Sequence, residues 1–261
     1  MAEAAGLYYE LHGPEDAPRL ILSSGLGGSA SYWAPNLPAL AEHFRVLVYD
    51  HRGTGRSDRA LPDTVTVDDF ADDILALMDA VGWPRAHIVG HAAGGVTGLA
   101  LALKAPDRLD RLVVVNGWAK ADPHFLRCFE ARLNLLRHSG VEAFLRAQPI
   151  FLFPADWISA HTADLDAELP HQIGGFPGAE TMEKRIAALA AFDVVGQLAS
   201  LTTEVLTLVA EDDMLVPAAA GARLNAALPR NRIATMRRGG HACNVTDPDT
   251  FNRLVLDFLR S

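Results

Sequence analysis

Gly90-His91-Ala92-Ala93-Gly94 has the outline of a catalytic turn and lacks the reagent. The apolar run His87 to Val89 enters it, and Gly94, Gly95, Gly98, Leu99 and Leu103 read as the start of a helix packed close to its neighbours. A strand, a glycine-flanked turn and a close-packed helix form the setting of a nucleophile elbow, G-x-S-x-G, whose serine attacks a carbonyl carbon. Ala92 stands at the serine's position, and its methyl group has no nucleophilic atom. Taken alone, the segment reads as a glycine-rich turn without chemistry. Three other segments change that balance. Leu22-Ser23-Ser24-Gly25-Leu26-Gly27-Gly28 closes an early strand with a turn whose glycines let backbone N–H groups approach a ligand. Such a turn, with the residue after the nucleophile position, supplies an oxyanion hole, here from the N–H groups of Leu26 and Ala93. Asp213, four residues before Pro217 and just past another apolar run, is either part of a helix cap or the carboxylate that orients a histidine. His241 follows Gly239-Gly240 after the last strand-like run, and is either one of ten histidines without a role or a base free to reach the active edge of a sheet. The order elbow, acid, histidine favours the catalytic reading.

Other constellations carry less. His87 and His91 are four apart but straddle a strand and a turn, so they lack the helix-face geometry of a metal pair, and no metal site is expected. Gly53-x-Gly55 is a glycine pair without the full dinucleotide fingerprint, so no cofactor is expected either. Arg127, Arg132, Arg137 and Arg146 read most simply as solvated charges on helices. Cys128 and Cys243 form no C-x-x-C pair and are expected as free thiols of a reducing, cytoplasmic compartment. A net charge of −9 argues against nucleic acid as a partner. Met1 to Gly6 lacks the basic start and apolar run of a signal peptide, and the chain offers no stretch of ~18 apolar residues, so neither export by that route nor a membrane span is expected. The expected partner is a small-molecule substrate, with a homodimer left open as the assembly.

Positioning such residues takes a sheet. The chain has 261 residues, 49% hydrophobic and 21% charged, which suits one soluble α/β unit and excludes disorder, collagen and coiled coil. Short β-rich runs at Leu7 to His12, Leu20 to Ser23, Phe44 to Tyr49, His87 to Val89, Leu112 to Asn116, Val205 to Ala210 and Arg232 to Met236 read as strands, several of them buried on both faces. Between them lie helical patterns, the clearest being Val67, Phe70, Ile74, Leu77, Met78 and Val81, with Thr66 and Asp69 as a capping box. This alternation predicts a mostly parallel, doubly wound sheet with its chemistry at the carboxyl ends of strands. Over about residues 118–192 the strands stop. Helical patterns at Phe125 to His138, Val141 to Gln148 and Thr181 to Phe192 predict a lid inserted in a single domain spanning 1–261, and the prolines and glycines between Pro149 and Gly178 predict an irregular centre.

Ser24-Gly25-Leu26-Gly27-Gly28, Tyr49-Asp50-His51-Arg52-Gly53-Thr54-Gly55-Arg56-Ser57, Gly90-His91-Ala92-Ala93-Gly94, Asp213-Met214-Leu215-Val216-Pro217 and Gly240-His241 together resemble the α/β-hydrolases, in order and over nearly the whole chain. Within that superfamily the chain is similar to the RutD-type aminohydrolases of pyrimidine catabolism. Val115-Asn116-Gly117-Trp118, Phe153-Pro154-Ala155-Asp156-Trp157 and Gly239-Gly240-His241-Ala242-Cys243-Asn244-Val245-Thr246-Asp247-Pro248 carry that second resemblance. It implies a native alanine at position 92 and hydrolysis without an acyl-enzyme. It also implies a labile substrate: carbamate first, with aminoacrylate close behind, both released when the ring-opened uracil product is cleaved. In that reading His241, oriented by Asp213, activates a water, and Leu26 and Ala93 steady the oxyanion. Two readings of other classes stand beside it. One is a hydrolase fold that only binds a ligand or partner; the other is a hydrolase using Ser24, Ser29 or Cys243 as nucleophile.

Overall fold

The apolar runs are the interior strands of one sheet. The structure, a computed structural model, describes residues 2–261. Its strands are β1 (Ala2–Ala4), β2 (Leu7–His12), β3 (Arg19–Ser23), β4 (Arg45–Tyr49), β5 (Ala86–His91), β6 (Leu109–Val115), β7 (Glu204–Ala210) and β8 (Asn231–Met236). They lie in the order β1-β2-β4-β3-β5-β6-β7-β8. The pairings β1/β2 and β2/β4 are antiparallel and the rest are parallel. Period-two alternation explains why the middle strands look apolar throughout. Leu20, Leu22, Val46, Val48, Val89, Val113 and Val115 face one core, while Ile21, Leu47, Ile88, Leu112 and Val114 face the other. The extra edge strand β1 is only three residues long, too short to show alternation in the sequence.

Helices cover both faces. They are α1 (Leu37–Ala41), α2 (Val67–Ala80), α3 (Ala93–Lys104), α4 (Pro123–Leu152), α5 (Ala155–Ala160), α6 (Thr162–Gly175), α7 (Ala179–Ala191), α8 (Ala218–Ala227), α9 (Cys243–Thr246) and α10 (Pro248–Leu259). The stripe Ile74, Leu77 and Met78 of α2 joins Val96 and Leu99 of α3 on one face, and Phe251, Val255 and Phe258 of α10 join Leu40 of α1 on the other. Thr66 and Asp69 form the capping box at the start of α2, each side chain accepting the other's backbone N–H.

Helices α4 to α7 all lie between β6 and β7. The long α4 breaks at Gly140, whose φ of 86° and ψ of −179° only glycine adopts readily, and this separates the two helical patterns seen in the sequence. Residues 149–178 are not irregular but mostly helical, which corrects the expectation of a loop-like centre. Some of the breakers act as punctuation, Pro154 as the N-cap of α5 and Gly175 as the end of α6 before Phe176, whereas Pro149 and Pro170 lie inside α4 and α6. Among the described residues no helix is long and apolar enough to cross a membrane.

Candidate active site

The elbow forms where β5 runs into α3. Ala92 has φ 47° and ψ −105°, a conformation that L-residues rarely adopt, and its N–H donates to the Val115 carbonyl at 2.8 Å. The flanking glycines are demanded by close approach. A Cβ at Gly94 would run into the Ser23 carbonyl oxygen, and one at Gly90 would meet the Gly94 carbonyl group. The Gly94 N–H donates to the Ser24 carbonyl at 3.0 Å, which ties the elbow to the turn after β3. Among the described residues, neither Leu26 nor Ala93 donates its N–H to any protein acceptor. Two backbone donors thus stay open, one on the elbow and one on the turn tied to it.

Asp213 and His241 follow β7 and β8, and they meet. Nδ1 of His241 lies 2.8 Å from Oδ2 of Asp213, and the two side chains are 3% and 0% exposed. The N–H groups of Leu215 and Val216 both donate to Oδ1 of Asp213 at 2.8 Å, which fixes the carboxylate's orientation. A carboxylate facing Nδ1 favours the ring proton there, which leaves the free lone pair on Nε2. Asp212 turns the other way and accepts the N–H groups of Gly239 and Gly240 at 3.2 and 2.8 Å, bracing the loop that carries His241.

That loop is held by residues the sequence reading did not assign to the site. The His241 carbonyl accepts from Nδ2 of Asn116 at 2.8 Å and from Nε2 of His91 at 2.7 Å. Burial, reinforced by neighbouring His241, holds His91 well below the ordinary histidine range, so it serves as a neutral donor. Its ring lies 4.6 Å from that of His241. Asn116 also accepts the Ala210 N–H at 2.9 Å and sits at φ 48°. A non-glycine residue with a short polar side chain directly after a buried strand is the available signal for such a tie.

A second brace comes from α7. Arg185 is 1% exposed, and its Nε and Nη2 both donate to the Leu26 carbonyl at 3.2 Å. Its Nη2 also reaches Nδ1 of His51 at 2.9 Å, and burial pushes the guanidinium down to about 10. The donor turn is therefore clamped from the inserted helices. Arg132 corrects the expectation of a solvated charge: it is 3% exposed, on the inward face of α4 with Phe125, Phe129 and Leu136. Helical spacing from Phe129 was the signal for that burial. Arg137 and Arg146 are exposed and pair with Glu183 and Glu142.

The other nucleophile candidates fare differently. Ser24 is buried, and its Oγ has no partner among the described residues. Ser29 is the N-cap of a short 3₁₀ turn, and its Oγ bonds to Ser31. Burial holds the Cys243 thiol well above its ordinary range, so little thiolate forms.

Comparison with known proteins bears on the fold and the family. A family model described as the alpha/beta hydrolase fold matches residues 18–248. A protein of Caulobacter segnis named "Putative carbamate hydrolase RutD" is 53% identical over 257 residues, covering 97% of this chain and 96% of its own length. A Serratia proteamaculans protein of the same name is 48% identical, with 97% and 96% covered. Among solved structures, the enol-lactonase from Burkholderia xenovorans superimposes with a TM-score of 0.88 at 29% identity, covering 100% of this chain and 99% of that one. A hydrolase from Pseudomonas aeruginosa gives the same TM-score at 30% identity, covering 98% and 94%.

Proposed function

The chain belongs to the α/β-hydrolase fold family and, within it, to the RutD group, and from that membership we propose that it hydrolyses carbamate by water that His241 activates. One observation carries the reading: a buried histidine and aspartate 2.8 Å apart stand beside an elbow whose central residue has no nucleophilic atom. In the proposed step Nε2 of His241 takes a proton from water as the oxygen bonds to the carbamate carbon. Asp213 steadies the imidazolium through Nδ1–H. The N–H groups of Leu26 and Ala93 receive the developing oxyanion. The C–N bond then breaks as His241 returns the proton to nitrogen, so that one carbamate anion and one water become one ammonia and one bicarbonate anion.

The chemistry suits a labile substrate. A triad without its nucleophile retains only what binding and the oxyanion hole contribute, which is a small part of the usual acceleration. Carbamate decays by itself, so general-base help of ~10²–10⁴-fold is enough to matter. We assign the source of that substrate to uracil degradation, in the cytoplasm, on the strength of the family resemblance.

The test is ammonia release from freshly prepared carbamate near neutral pH with buffer controls. Wild-type protein is expected to exceed the spontaneous rate, and His241→Ala to remove most of the excess. Aminoacrylate is the second substrate in the same assay. Wild-type protein that leaves both decays unchanged would overturn the enzyme reading.

A further inference from the structure

We propose that Arg132 recognises the carboxylate of a small anionic substrate, a specificity role in the same buried site. The proposal rests on the hydrolase reading only for the identity of that anion. Arg132 carries a charge on the covered face of α4, yet among the described residues no carboxylate lies within ion-pair distance of it. The rings of Phe129, Phe144 and Phe151 surround its guanidinium at 5.0, 4.9 and 5.5 Å. Its Nη2 donates to Oε1 of Gln148 at 3.1 Å, and its Nε has no acceptor among the described residues. Taking an ion out of water costs several kcal/mol, and cation–π contacts of this kind return only part of it. Such a side chain awaits an anion.

The position fits. From Arg132 a continuous row of rings runs through Phe129 and Phe125, 4.6 Å apart, to Trp118, 4.5 Å further on. Phe125, Phe129 and Trp118 share one buried cluster with Ala92 and Ala93. The indole N–H of Trp118 is itself buried without an acceptor among the described residues, so a second unpaired donor stands at the other end of the row. On the opposite side, Phe151 adjoins Leu152, whose carbonyl accepts the N–H of Ala242 at 2.9 Å, next to His241. Side-chain contacts thus lead from Arg132 by way of Phe129 and Phe125 to Trp118, and by way of Phe151 to the segment whose Leu152 carbonyl holds Ala242. Its planar fork suits a carboxylate held by one or two charge-assisted hydrogen bonds, and the close aromatic wall leaves specificity for a short, flat anion. Carbamate and aminoacrylate both present that group.

Acrylate and its neutral counterpart acrylamide are suitable probes, with equilibrium binding followed by ligand-observed NMR and thermal shift. Wild-type protein is expected to bind acrylate and gain thermal stability from it. Arg132→Met should weaken acrylate binding at least ~10-fold, the loss of a hydrogen bond to a charged group, while acrylamide binding stays unchanged. Arg132→Lys, which keeps the charge but not the fork, should fall between. Arg132→Met should also raise Tm, because an uncompensated buried charge is replaced by an apolar side chain. A structural role would lower Tm instead. Acrylate that binds Arg132→Met as tightly as wild type, or fails to bind wild type, overturns the proposal, and so does an Arg132→Met chain that does not fold. Carbamate turnover with an unchanged KM in Arg132→Met would sink the recognition role and leave the hydrolase reading standing. Arg132-dependent acrylate binding without any turnover would do the reverse.

Discussion

A hydroxyl restored at position 92 is the sharpest probe of the proposed water mechanism. Ala92→Ser puts an oxygen on the elbow, one residue from His91, whose ring lies 4.6 Å from that of His241. The variant is expected to hydrolyse a p-nitrophenyl ester with a burst and to be labelled by a fluorophosphonate at position 92, whereas wild-type protein gives neither burst nor label. Its carbamate turnover should fall, because the new side chain competes with water for His241. Labelling of the wild-type chain at Ser24 would instead install that serine as nucleophile. At this scale the sequence is readable where a residue follows a strand with its own punctuation. Ala92, Asp213 and His241 all do. Arg132 and Arg185 do not, since an arginine on a helix shows nothing of its partners until the covering face is known. Asn116 and His91 act through the His241 carbonyl, and although Asn116's place directly after a buried strand hints at a tie, nothing local names a partner 125 or 150 residues away.

Among the elements, α4 concentrates the constraint. Gly140 breaks it at φ 86°, and a Cβ there would meet nothing within 4 Å, so only backbone strain opposes a side chain. Gly140→Ala is expected to cost about 1–3 kcal/mol in denaturant unfolding. Gly174, inside α6 with ordinary φ and equally open surroundings, is the matched control. Gly174→Ala should stabilise by about 0.5–1 kcal/mol through helix propensity. Equal effects at the two positions would remove the strain argument. Strands and the α2 stripe were legible because burial imposes a period, whereas Pro149, Pro154 and Pro170 mislead a reader of residues 149–178. A proline removes one hydrogen bond without preventing a short helix from starting at it or closing around it.

For the whole molecule, buried titratable groups set the pH range of stability. Burial holds His51 and His91 well below the ordinary histidine range, with Arg185 adding to the effect at His51. Between those depressed values and about 6.5 the unfolded chain binds more protons, so stability is full above about 6.5 and is lost as pH falls. Cys243 and Tyr49 are raised by burial, so the folded chain keeps protons that the unfolded one releases above about 8.5 and 10. Calorimetric Tm at constant ionic strength should therefore form a plateau from about pH 6.5 to 8.5 and decline on both sides. A Tm that keeps climbing below about pH 6.5 would contradict the neutral state of the two histidines. The strand order has a further consequence, in time rather than in space. β3, β4, β5 and β6, with α2 and α3 laid on them, lie within the first 115 residues, while Asp213 and His241 arrive only with the last two strands. At the ~5–20 residues per second of synthesis, a nascent chain owns the elbow and its two open donors well before it owns Asp213 and His241. A product of interrupted translation would hold the elbow and the turn tied to it without the Asp213–His241 pair on which the proposed hydrolysis rests, however well its first half has folded.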